Sequence, residues 1–262
     1  MCYTVKGMQK KKIIIGNWKM NPVSVGEAEK LFNKIAKSVS RIKKTEVVIC
    51  PPFIYLDKLA KIRTSKIKLG AQNAFYEERG AYTGEISPEM LYNFGIRHVI
   101  VGHSKRRELG ETNKEVSQKI RTALLAGLTP ILCVGESSRD ESHDYFQFIK
   151  TQTVESLDGV FRDSISKIII AYEPIWSISS TPNHKNATPH DSLEMSLFIK
   201  KTLVDKFGVK IKIPRIIYGG DVNEKNARDF LQDGGVDGVL IGRASLDAKK
   251  FAAIITIAEN IK

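Results

Sequence analysis

The chain has 262 residues, 42% of them hydrophobic, and carries 41 basic against 29 acidic side chains for a net charge of +12. That length suits one large core, since a single α/β barrel runs to about 250 residues, and no stretch approaches the ~20 apolar residues that span a bilayer. The basic residues are scattered singly or in short runs such as Lys10, Lys11 and Lys12, a solvated surface rather than a polyanion-binding stripe interleaved with aromatics.

The basic start Met1–Lys12 leads into only Ile13, Ile14 and Ile15 before Gly16. A secretory signal needs an apolar run of roughly 7–15 residues, so none is expected. Eight short apolar, β-branched runs then follow along the chain: Lys12–Ile15, Glu46–Ile49, Ile67–Leu69, His98–Val101, Pro130–Val134, Lys167–Ala171, Pro214–Tyr218 and Val236–Ile241. Near-continuous apolar character suits strands covered on both faces, as in parallel sheets. Between the runs lie helical patterns. In Val25–Ile42 the apolar positions Ala28, Leu31, Phe32, Ile35, Ala36, Val39 and Ile42 recur at three- and four-residue spacing, and Phe251–Ile261 reads as a final helix. A strand-then-helix unit used eight times predicts an eight-stranded parallel (β/α)8 barrel in one domain. The open doubly wound sheet usually carries G-x-G-x-x-G after its first strand, whereas Ile15 is followed by Gly16-Asn17-Trp18-Lys19-Met20-Asn21. The domain reading is an extension over 1–11 and the barrel over 12–262.

The odd count of three cysteines, Cys2, Cys50 and Cys133, without C-x-x-C spacing, predicts neither a disulfide framework nor a zinc site. Cys50 and Cys133 sit in apolar runs, where Cys is usually a small buried hydrophobe. The expectation is a soluble cytoplasmic protein in a reducing compartment, with no metal, cofactor, nucleic acid or membrane partner.

In such a barrel the active site lies at the carboxyl ends of the strands, so the residues just after each run become candidates. Glu173 follows one strand and precedes Pro174-Ile175-Trp176, which shelters its carboxylate from water and marks it as a base. His103 ends another strand, where a neutral imidazole can give or take a proton. Lys19 offers a fixed charge to a developing oxyanion or a phosphate, and Asn17 can orient the same oxygen. Base, neutral acid and cation together suit proton abstraction α to a carbonyl. Gly219-Gly220 and Gly242 follow the seventh and eighth strands, where barrels often bind phosphate through backbone N–H groups. The layout therefore points to a small phosphorylated carbonyl compound. Singly, each residue has a plainer reading as a structural histidine, a turn glutamate or a turn glycine pair; only their joint placement raises the functional one.

Over nearly the whole chain, about Lys12 to Ile257, these segments resemble the triosephosphate isomerase family. The likeness rests on Gly16-Asn17-Trp18-Lys19-Met20-Asn21, Gln72-Asn73, Ala81-Tyr82-Thr83-Gly84-Glu85, Val101-Gly102-His103-Ser104, Leu132-Cys133-Val134-Gly135-Glu136, Ala171-Tyr172-Glu173-Pro174-Ile175-Trp176 and Tyr218-Gly219-Gly220. The resemblance implies Glu173 as the base moving a proton between two carbons and His103 as the neutral electrophile serving the oxygens. It implies that Lys19 steadies the enediolate beside Asn17, and that residues 174–188 form a lid. Phosphate would be held near Ser179, Asp221, Gly242 and Arg243. It also implies a homodimer with the loop around Thr83 at the interface, and a place in glycolysis and gluconeogenesis.

Four departures from the family pattern qualify it. Lys105 stands where a glutamate usually follows His-Ser, so Lys105 is expected to turn outward and another acid, such as Glu136, to partner Lys19. The segment Pro174–Pro189 is longer than usual and lacks glycine at its tip, which loosens the carry-over to Ser179. Asp221 replaces a serine, so only its backbone N–H is expected to face phosphate. Arg243 replaces a glycine, and its side chain can reach phosphate bidentately or point to solvent. Rival readings are an isomerase or epimerase for another phosphosugar, a binding protein that has lost turnover, and a nucleic-acid binder; the last lacks a recognisable module.

Overall fold

The computed structural model describes residues 11–62, 64–139, 141–178, 181 and 185–261. Eight strands, β1 (Ile13–Asn17), β2 (Glu46–Cys50), β3 (Ile67–Ala71), β4 (His98–Val101), β5 (Thr129–Val134), β6 (Ile169–Tyr172), β7 (Arg215–Tyr218) and β8 (Gly238–Ile241), close into one barrel in sequence order. Every neighbouring pair is parallel, including β1 with β8. Each predicted run contains a strand, with ends displaced by two residues at most.

Helices fill the crossovers: α1 (Val25–Ser38), α2 (Phe53–Ala60), α3 (Pro88–Asn93), α4 (Ser104–Glu108), α5 (Asn113–Leu125), α6 (Asp144–Ser156), α7 (Pro189–Phe207), α8 (Ala227–Asp233) and α9 (Ala248–Asn260). Their starts are written locally. The Ser24 hydroxyl accepts from the Glu27 N–H to open α1. Reciprocal capping boxes, Thr112 with Glu115 and Thr188 with Asp191, open α5 and α7. Helix α1 stops earlier than the spacing predicts. Val39 and Ile42 are buried, but from within the turn after the helix, where the Glu259 carboxylate accepts from the N–H groups of Lys43, Lys44 and Thr45.

Side chains alternate along each strand. Ile14, Val47, Val99 and Ile216 face outward and pack with Phe32, Ile120, Ile199 and Ile254 from the helices. Ile13, Ile15, Val48, Ile100, Ile131 and Ile217 face inward and form a separate apolar layer inside the barrel. The lumen is thus solid at mid-height, and polar chemistry is left to its two mouths.

Candidate active site

At the carboxyl mouth, one cavity is lined by Asn17, Lys19, His103, Glu173, Asp221 and Gly242, joined by Arg243 and the apolar Ile178, Val222 and Leu240. These come from β1, β4, β6, β7 and β8 or the loops after them, so barrel closure brings together every described candidate. Ser179 lies outside the described residues.

Lys19 is reached by a strained turn. Its φ of 53° is unusual for a residue with a Cβ. The turn is held from both sides: Asn17 Oδ1 accepts from the Lys19 N–H at 3.0 Å, and Gln72 Nε2 donates to the Lys19 carbonyl at 2.8 Å and the Cys50 carbonyl at 2.9 Å. A Cβ on Gly242 would sit 3.8 Å from Lys19 Nζ, which places the ammonium beside the backbone after β8.

His103 caps α4, its Nδ1 accepting from the Lys105 N–H at 3.1 Å. A ring nitrogen that accepts a backbone N–H carries no proton, so the single proton of the neutral imidazole sits on Nε2. Nε2 faces the cavity and lies 3.3 Å from Glu173 Oε1.

Glu173 is 3% exposed. The Ser104 N–H approaches its Oε2 at 3.4 Å, and the buried Cys133 thiol is its neighbour. Among the described residues no Lys or Arg forms an ion pair with this carboxylate, so its charge is left for chemistry. Two glycines permit its placement: a Cβ on Gly135 would lie 1.8 Å from the Glu173 carbonyl, and one on Gly219 would lie 2.8 Å from its Cγ. Burial, then the neighbouring Glu173 charge, pushes the Cys133 thiol well above its usual range, keeping it protonated. The sequence does not reveal this neighbour of Glu173, because a Cys in an apolar strand looks like any small hydrophobe.

Lys105 turns outward and pairs with Glu108 at 2.9 Å, both about half exposed. The expected pairing of Glu136 with Lys19 is not found. Glu136 Oε1 accepts instead from Tyr172 at 2.7 Å, Trp176 Nε1 at 2.8 Å and Arg139 Nε at 3.0 Å. The reason is topological. Glu136 follows β5 and Lys19 follows β1, and in a closed eight-stranded ring these strands face each other across the mouth. Arg139 also reaches Asp191 at 2.8 Å and Glu194 at 3.1 Å, tying the loop after β5 to the start of α7.

Comparison with known proteins agrees with this geometry. The family model described as triosephosphate isomerase matches residues 12–258. A triosephosphate isomerase of Caldanaerobacter subterraneus is 44% identical over 250 residues, 94% of this chain and 99% of that protein. One from Dehalococcoides mccartyi is 47% identical over 254 residues, 95% of this chain and 97% of that protein. The crystal structure of the Bartonella henselae triosephosphate isomerase superposes with a TM-score of 0.81 at 35% identity, covering 94% of this chain and 98% of that one. A parallel barrel with these residues at its mouth, and relatives matching along its length, place this chain in the triosephosphate isomerase family.

Proposed function

We propose that the chain interconverts dihydroxyacetone phosphate and D-glyceraldehyde 3-phosphate through an enediolate, as a step of glycolysis and gluconeogenesis. Glu173 takes a proton from one carbon of the bound triose and returns it to the adjacent carbon. His103, with its proton on Nε2, gives that proton to one oxygen and recovers one from the other. The Lys19 ammonium, oriented by the turn that Asn17 holds, stabilises the negative oxygen between these transfers. Only protons move and no electrons leave the substrate, so the reaction calls for no redox group. Backbone N–H groups at Asp221, Gly242 and Arg243, with Ser179, are the proposed phosphate ligands. A homodimer with the loop around Thr83 at its interface fits the exposed apolar side chains Met20, Val23 and Tyr82, a cost offset when covered.

The observation that carries this reading is the 3.3 Å contact between His103 Nε2 and the buried Glu173 carboxylate, which no Lys or Arg among the described residues pairs, in a cavity shared with Lys19. Its test is conversion of glyceraldehyde 3-phosphate in a coupled assay. Glu173→Gln should lower kcat by about 10²–10⁴-fold, the usual worth of a positioned general base. A variant retaining activity within tenfold of the original would refute the assignment.

A further inference from the structure

The inward parity that carries Asn17 and Glu173 to one mouth carries other polar side chains to the opposite one. Glu46, Lys68, His98, Thr129 and Arg215 stand at or beside the first residues of β2, β3, β4, β5 and β7. Each lies two residues before an inward position, namely Val48, Gly70, Ile100, Ile131 and Ile217. With Lys167 they line a cavity of about 380 Å³ at the amino ends of the strands, within the size range of small-ligand sites. The apolar layer of the lumen separates it from the catalytic cavity.

Its charges do not balance. Among the described residues Glu46 is the only carboxylate lining it, against Lys68, Arg97, Lys167 and Arg215. Both Glu46 oxygens are already engaged, Oε1 with Lys68 Nζ at 2.7 Å and Oε2 with Arg215 Nη1 at 2.7 Å. Helix ends at this mouth present carbonyls that can occupy cations, and Arg97 is spent this way, donating to the carbonyls of Tyr92 at 2.9 Å and Ile96 at 2.8 Å. Lys167 pairs with no carboxylate among the described residues, and Arg215 and Lys68 keep N–H groups beyond those given to Glu46. His98 forms part of the cavity wall. It is 5% exposed, and its Nε2 stands 3.8 Å from Glu46, too far to bond. The ring thus keeps hydrogen-bonding capacity that Glu46 does not use, and the surrounding charge favours an anion as the ligand that uses it.

We propose that this mouth is a second binding site, for a small multivalent oxoanion of the phosphate class, held by Lys68, Lys167 and Arg215 with the His98 ring in its wall. Arginine and lysine side chains converging around one cleft concentrate such anions. The site is remote from the catalytic groups and independent of the isomerase reading.

The test is a calorimetric titration of the full chain with inorganic phosphate and, separately, with pyrophosphate, while the His98 ring nitrogens are followed by ¹⁵N NMR. Binding should shift the His98 resonances, and Lys167→Glu should weaken it at least tenfold while leaving triose phosphate turnover within twofold. Comparable affinities would assign a single phosphate group, and a marked preference for pyrophosphate would assign a ligand bearing two. If both anions leave His98 unmoved, or shift it equally in Lys167→Glu, the proposal is wrong. Anion binding seen only as competitive inhibition, with His98 unmoved, would place the ion in the catalytic cavity and equally overturn it. Absence of turnover in the unaltered protein would count against the isomerase reading alone.

Discussion

Single side chains at the carboxyl mouth are placed by what their neighbours leave out. Gly219 has no Cβ where one would press on Glu173 Cγ at 2.8 Å, so Gly219→Ala must displace the carboxylate that stands 3.3 Å from His103 Nε2. Misplacing a reacting group by a fraction of an ångström is expensive. We expect kcat to fall by about tenfold or more, with a smaller change in KM, in steady-state assays; an unchanged kcat would show that the carboxylate has room to spare. Lys105 tells the opposite story. Its ammonium pairs with Glu108 at the surface, so charge reversal at position 105 alters an exposed pair and keeps the backbone N–H that His103 Nδ1 accepts. Turnover of Lys105→Glu should stay within about tenfold of the original. A larger gain would mean that Lys19 lacks an acid the fold has failed to supply.

At the scale of elements, helix α7 depends on its first turn. The Thr188 hydroxyl accepts from the Asp191 N–H, and Asp191 accepts from the Thr188 N–H at 2.7 Å while also holding Arg139. Thr188→Ala should cost about 1 kcal/mol, read as a lower denaturant midpoint; an unchanged midpoint would mean that Asp191 alone caps the helix. This level was also the most legible from sequence. The β-branched runs found all eight strands because a strand buried on both faces can hardly be anything but apolar. Ends were less readable. The apolar pattern predicts one strand over Lys167–Ala171, yet β6 begins at Ile169 because Arg162–Lys167 winds as a 3-10 turn closed by the Ile168 N–H on the Ile165 carbonyl. The catalytic candidates could be listed because each directly follows a strand. The surroundings of Lys19 and the polar cluster at the amino mouth are not legible in the sequence, because both depend on which strands face each other after closure. Locally, Glu46, His98 and Arg215 look like ordinary charges at loop ends.

For the whole molecule, that amino mouth contributes to the response to acid. Burial lowers the His98 imidazole to about 4, against the attraction of Glu46. As pH falls through about 6.5, the unfolded chain takes up a proton that the folded one refuses until about pH 4, so stability declines over that window. Burial alone would raise the Glu46 carboxyl, but hydrogen bonds from Lys68 and Arg215 outweigh it and hold the group at about 2. Its contribution is present above about pH 4.5 and is lost as pH falls toward 2. His98→Gln should therefore reduce the stability lost between pH 7 and 4 by on the order of 3 kcal/mol, leaving the steeper loss below. Denaturant titrations at several pH values decide it; a variant as acid-sensitive as the original would contradict the account.

The solid middle of the barrel has one more consequence. Ile13, Ile15, Val48, Ile100, Ile131 and Ile217 fill the axis between the two ends with apolar side chains, a medium that charged groups enter only at high cost. The strands behave as insulated posts with separate fittings at top and base. Sequence change can remodel the base, altering what it holds or how it answers to acid, without retuning the turnover machinery above.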